Sequence, residues 1–387
     1  MKPVLDAIVK VFSSLWLSVT LLVFLALLTW LGTLEQVHTG LYEVQRKYFD
    51  SLFLVHQAGS VPIPLPGARL VMIVLFVNLL LGGIVRLRKG WATAGVLVTH
   101  IGIVMLLVAG LVKAWYAVEG HVTLYEGEKA NTFESYQRWE VAIAEDLGGG
   151  RVREFVAQEE AFQDATGAAP ASFAPAALPF EVQLGRFQKN CRVLPNGPMF
   201  EAPTPVIDGA FLQPAPADTQ VEQNVAGLYA TLVEKQGGAR HEGILWGREA
   251  QPWTVEVGGK RWAVELRRER HPMPFTIALG DFVKEDHPRI DMPKSFSSDV
   301  SVTEGASTRP VRISMNEPLR AGGLVVYQSS WGPADAPPGT PLFSTLAVVA
   351  NPADQYPLYA CIVIAIGLSM HFSRKLARHV RSEAKKS

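Results

Sequence analysis

The residue with the strongest claim to chemistry is a histidine inside an apolar run. His100 stands in Val96-Leu-Val-Thr-His-Ile-Gly-Ile-Val-Met105. An ionisable side chain there is costly and marks a functional position by default. Counted from Ala92, where the run begins, it lies ~12 Å along a helix. That places it in the half of a bilayer next to the preceding basic turn. A neutral imidazole is a good axial ligand for haem iron. It could equally bond a neighbouring Ser, Thr or Asn across a helix interface, and residue chemistry alone leaves the two readings level. His371 closes another apolar run just before Arg374 and Lys375. It reads as an interfacial residue that could also assist haem entry at that surface. Asn78, in the middle of a third apolar run, reads as a hydrogen-bonding link between helices.

The histidines of the expected outer loop and outer domain are scattered. His38, His56, His121, His241, His271 and His287 suit hydrogen bonding on a surface or in a core. His38 and His56 carry more weight because they flank a short loop beside the apolar runs. The sequence has no GxSxG, no HExxH and no phosphate-cradling glycine loop followed by lysine. Two cysteines, Cys191 and Cys361, are too few for a disulfide framework. Without CxxC or CxxCH the chain is neither a thioredoxin-like reductant nor a c-type cytochrome.

Four apolar segments position these residues. Phe12–Leu34, Leu70–Val85, Ala92–Trp115 and Leu358–Phe372 are each expected to cross a bilayer as a helix. Lys+Arg and Asp+Glu both total 36, giving zero net charge and excluding the basic excess of a nucleic-acid binder. The basic residues are nevertheless clustered: Lys2 and Lys10 before the first span, Arg86, Arg88 and Lys89 after the second, and Arg374, Lys375, Arg378, Arg381, Lys385 and Lys386 after the fourth. The positive-inside rule places all three clusters in the cytoplasm. The expected organisation is a tail and first span over 1–34, an outer loop over 35–67, the second span and basic turn over 68–91, and the third span over 92–115. An outer domain over 116–355, the fourth span over 356–372 and a cytoplasmic tail over 373–387 follow. The loop is expected to form a short surface helix ending at Pro62, Pro64 and Pro66. Gly95, Gly102 and Ala109 recur every seven residues, a small-residue stripe turned away from His100.

The outer domain reads as β-sheet. Val118–Tyr125, Gln137–Ala144 and a hairpin turning at Gly258-Gly259 show strand patterning. Ala165–Ala177 reads as a linker or surface loop. Leu178-Pro-Phe-Glu-Val-Gln-Leu-Gly-Arg-Phe-Gln-Lys189 recurs as Met273-Pro-Phe-Thr-Ile-Ala-Leu-Gly-Asp-Phe-Val-Lys284, with six of twelve positions identical. Two related β modules, about 116–265 and 266–355, are expected, each with a bulge permitted by its glycine. The fold class is thus an α+β integral membrane protein, with three helices before and one after a large β-rich domain.

Several blocks resemble one family. Leu279-Gly-Asp-Phe-Val-Lys284, Pro293-Lys-Ser-Phe-Ser-Ser-Asp-Val-Ser-Val302, Asn316-Glu-Pro-Leu-Arg320 and Tyr327-Gln-Ser-Ser330 are similar to successive blocks of the ResB (CcsB) membrane subunit of System II cytochrome c biogenesis. Leu31-Gly-Thr33, Asn78-Leu-Leu80 and His100 fit its first three spans. The match is weakest at Asp146–Ala177 and Leu194–Gly247. The resemblance implies a haem-conducting subunit of a cytochrome c synthase in a bacterial-type cytoplasmic membrane, with both termini inside. It works with a ResC (CcsA)-like membrane protein, serves apocytochrome c carrying CxxCH, and a thioredoxin-like thiol reductant is a further expected partner. The implied cofactor is haem b, held transiently and shared with the partner. In fused members a third-span histidine contributes to the inner haem site. That raises His100 as the axial ligand, with no acid–base residue assigned. The competing expectation is a non-catalytic assembly protein whose β domain holds apocytochrome or the partner, with His100 structural.

Overall fold

In the computed structural model the apolar runs are helices, and the segment between the third and fourth is antiparallel sheet. The structure describes residues 6, 9–200, 202, 205–288, 293–333, 337 and 340–385. Lys2 and Lys386, counted above among the basic residues, lie outside the described residues. The chain divides into a helical unit, residues 1–117 with 350–387, and a β unit, residues 118–349.

Among the described residues the helical unit holds four helical runs long and apolar enough to cross a membrane: Leu15–Thr39, Ala68–Val85, Ala94–Tyr116 and Tyr356–Glu383. We call the first α1. The second is an α-helix, α2 (Ala68–Asn78), continued by a π-helical segment, Leu79–Val85. The third and fourth are α3 (Ala94–Tyr116) and α4 (Tyr356–Glu383). Helix α4 outruns the expected end at Phe372 by three turns, because nothing between Ser373 and Glu383 breaks a helix and long basic side chains can reach outward from it.

The segment after α1 departs from expectation. A helical turn does form, as Leu41–Val44 followed by a π turn, Gln45–Phe49. The proline cluster, however, is a strand. β1 (Phe53–Ala58) pairs with β2 (Val61–Pro66), with Val55 opposite Pro64 and Phe53 opposite Pro66. Prolines at every second residue all fall on one edge of a strand. They therefore occupy the positions whose N–H would point away from β1, and the missing donors cost no ladder bond.

The β unit contains a ten-stranded and a four-stranded sheet, with a separate strand pair. In chain order the strands are β3 (Val118–Tyr125), β4 (Lys129–Asp146), β5 (Val152–Gln158), β6 (Ala171–Phe173), β7 (Phe180–Gln188), β8 (Cys191–Pro195) and β9 (Ala210–Pro214). Next come β10 (Gly227–Glu234), β11 (Arg240–Trp246), β12 (Trp253–Val257), β13 (Lys260–Asp286), β14 (Pro293–Glu304), β15 (Ser307–Ser314), β16 (Leu319–Ala321), β17 (Leu324–Gly332) and β18 (Phe343–Ala350). The large sheet runs β15-β14-β13-β4-β3-β18-β17-β16, with β12 on β13 and β5 on β4. The smaller runs β11-β10-β7-β6. Their inner faces meet in one core that includes Ile143, Phe180, Leu184, Leu228, Leu232, Trp262 and Val264.

Several local expectations hold. Gly258 and Gly259 have positive φ and turn β12 into β13, as Gly322 and Gly323 turn β16 into β17. The two repeat copies lie on β7 and β13. Phe275, Ile277 and Leu279 are buried, the pairing with β14 skips Gly280, and Phe282 returns to the core. The pairing of β7 with β10 is likewise irregular between Gly185 and Gln188. The module boundary expected at 265/266 falls inside the continuous strand β13. The Ala165–Ala177 loop contains the short strand β6.

The Tyr327–Ser330 block is structural. Ser298 Oγ donates to Gln328 Oε1 at 2.7 Å and Gln328 Nε2 donates to Ser344 Oγ at 2.9 Å, linking β14, β17 and β18 through buried polar groups. A fully satisfied buried network of this kind fixes strand register.

Candidate functional site: a tautomer-fixed histidine in a helix seam

Three glycines shape the surroundings of His100, and they divide α3 into two faces. One face packs on α4. A Cβ at Gly95 would stand 2.6 Å from the backbone nitrogen of His371, and one at Gly102 would stand 2.7 Å from Cγ1 of Ile364. Gly95, Gly102 and Ala109 are the buried residues of α3, so the predicted small-residue stripe is the α4 seam.

His100 looks elsewhere, toward the π segment that ends the second run. Its Nδ1 lies 2.8 Å from the carbonyl oxygen of Gly83. Gly83 is two residues from the end of that segment. In a π segment, N–H groups bond five residues back, as Arg86 N–H does to Leu81 O at 3.0 Å. The residue that would serve Gly83 lies past the helix end, so its carbonyl is one of the orphans every helix terminus leaves. His100 satisfies it. The approach depends on glycine, because a Cβ at Gly83 would stand 2.6 Å from Nδ1 and 3.1 Å from Cε1 of His100.

This bond settles the tautomer. A carbonyl only accepts, so Nδ1 carries the proton. In the neutral ring Nε2 then holds the free lone pair. Ligating histidines are held in this way, with the other nitrogen donating to a backbone carbonyl that fixes ring orientation and raises basicity. Among the described residues no cluster of three His, Cys, Asp or Glu side chains could hold a bare metal ion. The coordination chemistry on offer at His100 is one imidazole, which suits a haem iron already held by its porphyrin.

The structure does not bring His371 to His100. The backbone of His371 lies against Gly95, and its ring meets Phe372 edge-on at 5.4 Å. Among the described residues no hydrogen bond or ring contact joins the two histidines. Asn78 is the helix link it was expected to be. Its Nδ2 donates to the carbonyls of Phe12 at 2.7 Å and Ser14 at 3.0 Å, and Ser18 Oγ donates to its Oδ1 at 2.6 Å.

In the β unit the histidines serve the sheet. His121 stacks on Tyr136 at 4.9 Å, and burial holds its ring below the ordinary value of 6.5. His271 leans on Phe133 at 5.1 Å, and His241 meets Glu234 at 2.9 Å. Cys191 is a buried free thiol pushed up to about 12 by desolvation, hence inert. His38 and His287 are exposed.

Gly83 was missed in sequence. The only signal was a Gly-Gly pair in an otherwise uninterrupted apolar helix, Leu79-Leu-Leu-Gly-Gly-Ile-Val85. Such a pair reads as a packing stripe unless its partner is known.

No curated protein matches this chain. The family model for the ResB-like family matches residues 84–191 and 243–337. The first stretch includes all of α3 with His100 and runs to the start of β8. The second runs from β11 through β17. The interval between them nearly coincides with Leu194–Gly247, where the sequence resemblance is weak. Matches over more than half of its length establish that this chain belongs to the ResB-like family, with a role in cytochrome c biogenesis, and the four apolar helices among the described residues make it a membrane protein.

Proposed function

We propose that this chain is the haem-handling membrane subunit of a System II cytochrome c synthase, with His100 as an axial ligand to haem in transit. The observation that carries the reading is the Nδ1–H bond to Gly83 O, which leaves Nε2 as the ligating atom. Haem is the cargo here, and its own iron supplies the coordination chemistry. The chain's residues do the rest. Gly83 orients the imidazole and makes it more basic. The Gly95–Gly102–Ala109 seam fixes α3 on α4, so that the ring side of α3 keeps a constant position. Asn78 ties the second run to the segment before α1, which steadies the π segment that presents Gly83.

The opposing ligand, in this reading, comes from a ResC (CcsA)-like partner, and the β unit lies on the outer face, where an apocytochrome with CxxCH receives haem. Three basic clusters support this orientation, since all of them fall on one side of the four spans. His100 then lies near the cytoplasmic face, where haem would enter. No residue is assigned acid–base work. Purifying the chain with its partner and recording haem content and spectrum for wild type and His100→Ala tests this. Loss of an imidazole-ligated haem population in the variant is expected, and unchanged content and spectrum would overturn the assignment.

A further inference from the structure

A second histidine of the helical unit is held by the same device. Glu35, near the end of α1, accepts from Lys47 Nζ at 2.7 Å and from the Tyr48 hydroxyl at 2.6 Å. The Tyr48 oxygen also lies 2.5 Å from Nδ1 of His56. A phenol has one proton, and Tyr48 donates it in the hydrogen bond to the carboxylate. The proton of the second bond must therefore sit on Nδ1, which leaves Nε2 of the neutral ring with the lone pair. Among the described residues nothing bonds that nitrogen.

The support behind the ring is rigid. Tyr48 is wholly buried, lies on the π turn Gln45–Phe49, and has the Lys47 ammonium 5.2 Å from its ring centroid. Burial and the Glu35 carboxylate both hold its hydroxyl protonated, far above the ordinary phenol range. In front of the ring the surroundings are apolar. His56 stands directly across β1–β2 from Ile63, with Val61 next on the same face. Those two side chains are 39% and 60% exposed, which gives a flat apolar macrocycle a surface to lie on.

The two histidines mark opposite ends of one helical run. Gly83 lies at the end of Ala68–Val85, whereas β2 leads into its start through Gly67, whose N–H bonds Leu52 O at 2.8 Å. At ~1.5 Å per residue, about 24 Å of helix separates Gly67 from Gly83.

We propose that His56 is a second haem-iron ligand, its Nε2 receiving haem at the end of the helical unit opposite His100, with Tyr48 and Glu35 as its positioning residues. The proposal rests on the haem-handling reading above and extends it from one station to two within this chain.

The test uses the full chain in lipid nanodiscs, with ferric haem as the probe. The Soret band of the ferrous–CO complex reports an imidazole opposite CO. His100→Ala should keep that signature and His100→Ala/His56→Ala should lose it. Tyr48→Phe preserves the ring volume and removes the bond to Nδ1. In the His100→Ala background it should weaken haem binding by roughly tenfold or more. It should also convert ¹⁵N-labelled His56 from one tautomer to a mixture. If His100→Ala alone abolishes the imidazole signature, His56 is no ligand and the His100 reading survives. If His100→Ala and the double variant give the same spectrum, or Tyr48→Phe changes neither affinity nor tautomer, the proposal is overturned. If His100→Ala retains the wild-type spectrum and His56→Ala loses it, the His100 reading fails and this one stands.

Discussion

Gly83→Ala is the most informative single substitution, because structure and propensity pull in opposite directions. Alanine is favoured over glycine inside a helix by about 0.5–1 kcal/mol. The new Cβ, however, would stand 2.6 Å from Nδ1 and 3.1 Å from Cε1 of His100. Carbon contacts relax at ~3.5–4.0 Å, so the ring must retreat by about 1 Å. Retreat breaks the 2.8 Å bond to Gly83 O. A polar bond between membrane helices contributes on average ~0.6 kcal/mol, about what the propensity gain returns. Thermal stability should therefore change little. Ligation should not escape, because loss of a partner that orients a ligating histidine costs 10–100-fold in metal affinity, or roughly 1.4–2.7 kcal/mol. The assay is a haem titration of the purified complex beside a melting curve of the same sample. Wild-type affinity in a variant of wild-type stability would refute the reasoning, since the Gly83 contact would then have no bearing on Nε2.

Other outcomes follow from the same structure. Asn78→Ala removes the donor of the Phe12 carbonyl and leaves the Ser14 carbonyl only the longer bonds from Ser18, and should cost about 1–3 kcal/mol of stability in detergent unfolding while the haem spectrum of the surviving fold stays wild-type. Gly102→Leu should separate α3 from α4, read as loss of a Cys-pair crosslink engineered across the seam, because Ile364 already stands within 2.7 Å of a Cβ there. In the β unit, Leu319→Ala should cost about 2–5 kcal/mol in urea unfolding, since Leu319 is 2% exposed. Breaking the exposed Arg312–Asp299 pair should leave the urea midpoint unchanged. The buried ring of His121 titrates below 6.5 when folded, so the unfolded chain takes up its proton first as pH falls. Its contribution is complete at and above neutral pH and is lost as pH drops from about 6.5 toward the folded value. The urea midpoint should fall over that window, and His121→Phe should flatten the fall.

The spans were legible because a bilayer imposes both length and composition, and the seven-residue stripe was legible because a close helix seam admits only small residues. The glycine turns and the alternation of Phe275, Ile277 and Leu279 carried local signals strong enough to fix β13 and β17. Three things were not legible. The proline-rich β2 reads as a terminator until its pairing with β1 shows all three prolines on one edge. The interleaving of β3 and β4 with β18 and β13 joins residues more than a hundred positions apart, and no local pattern encodes it. The supports of His100 and His56 depend on two π-helical segments, Leu79–Val85 and Gln45–Phe49, whose residues look like ordinary helix. His100 could therefore be found from its cost in a membrane, whereas the nitrogen left free for a ligand could be read only from its contact with Gly83.

The account stands on Nε2 of His100 meeting haem iron, and cavity rescue tests that contact directly. His100→Gly removes the imidazole and leaves a space where it stood. Purified with its partner, the variant should show depleted haem with an altered spectrum, and added imidazole should restore the wild-type spectrum in a saturable manner. A variant that holds haem with the wild-type spectrum before imidazole is added would contradict the assignment.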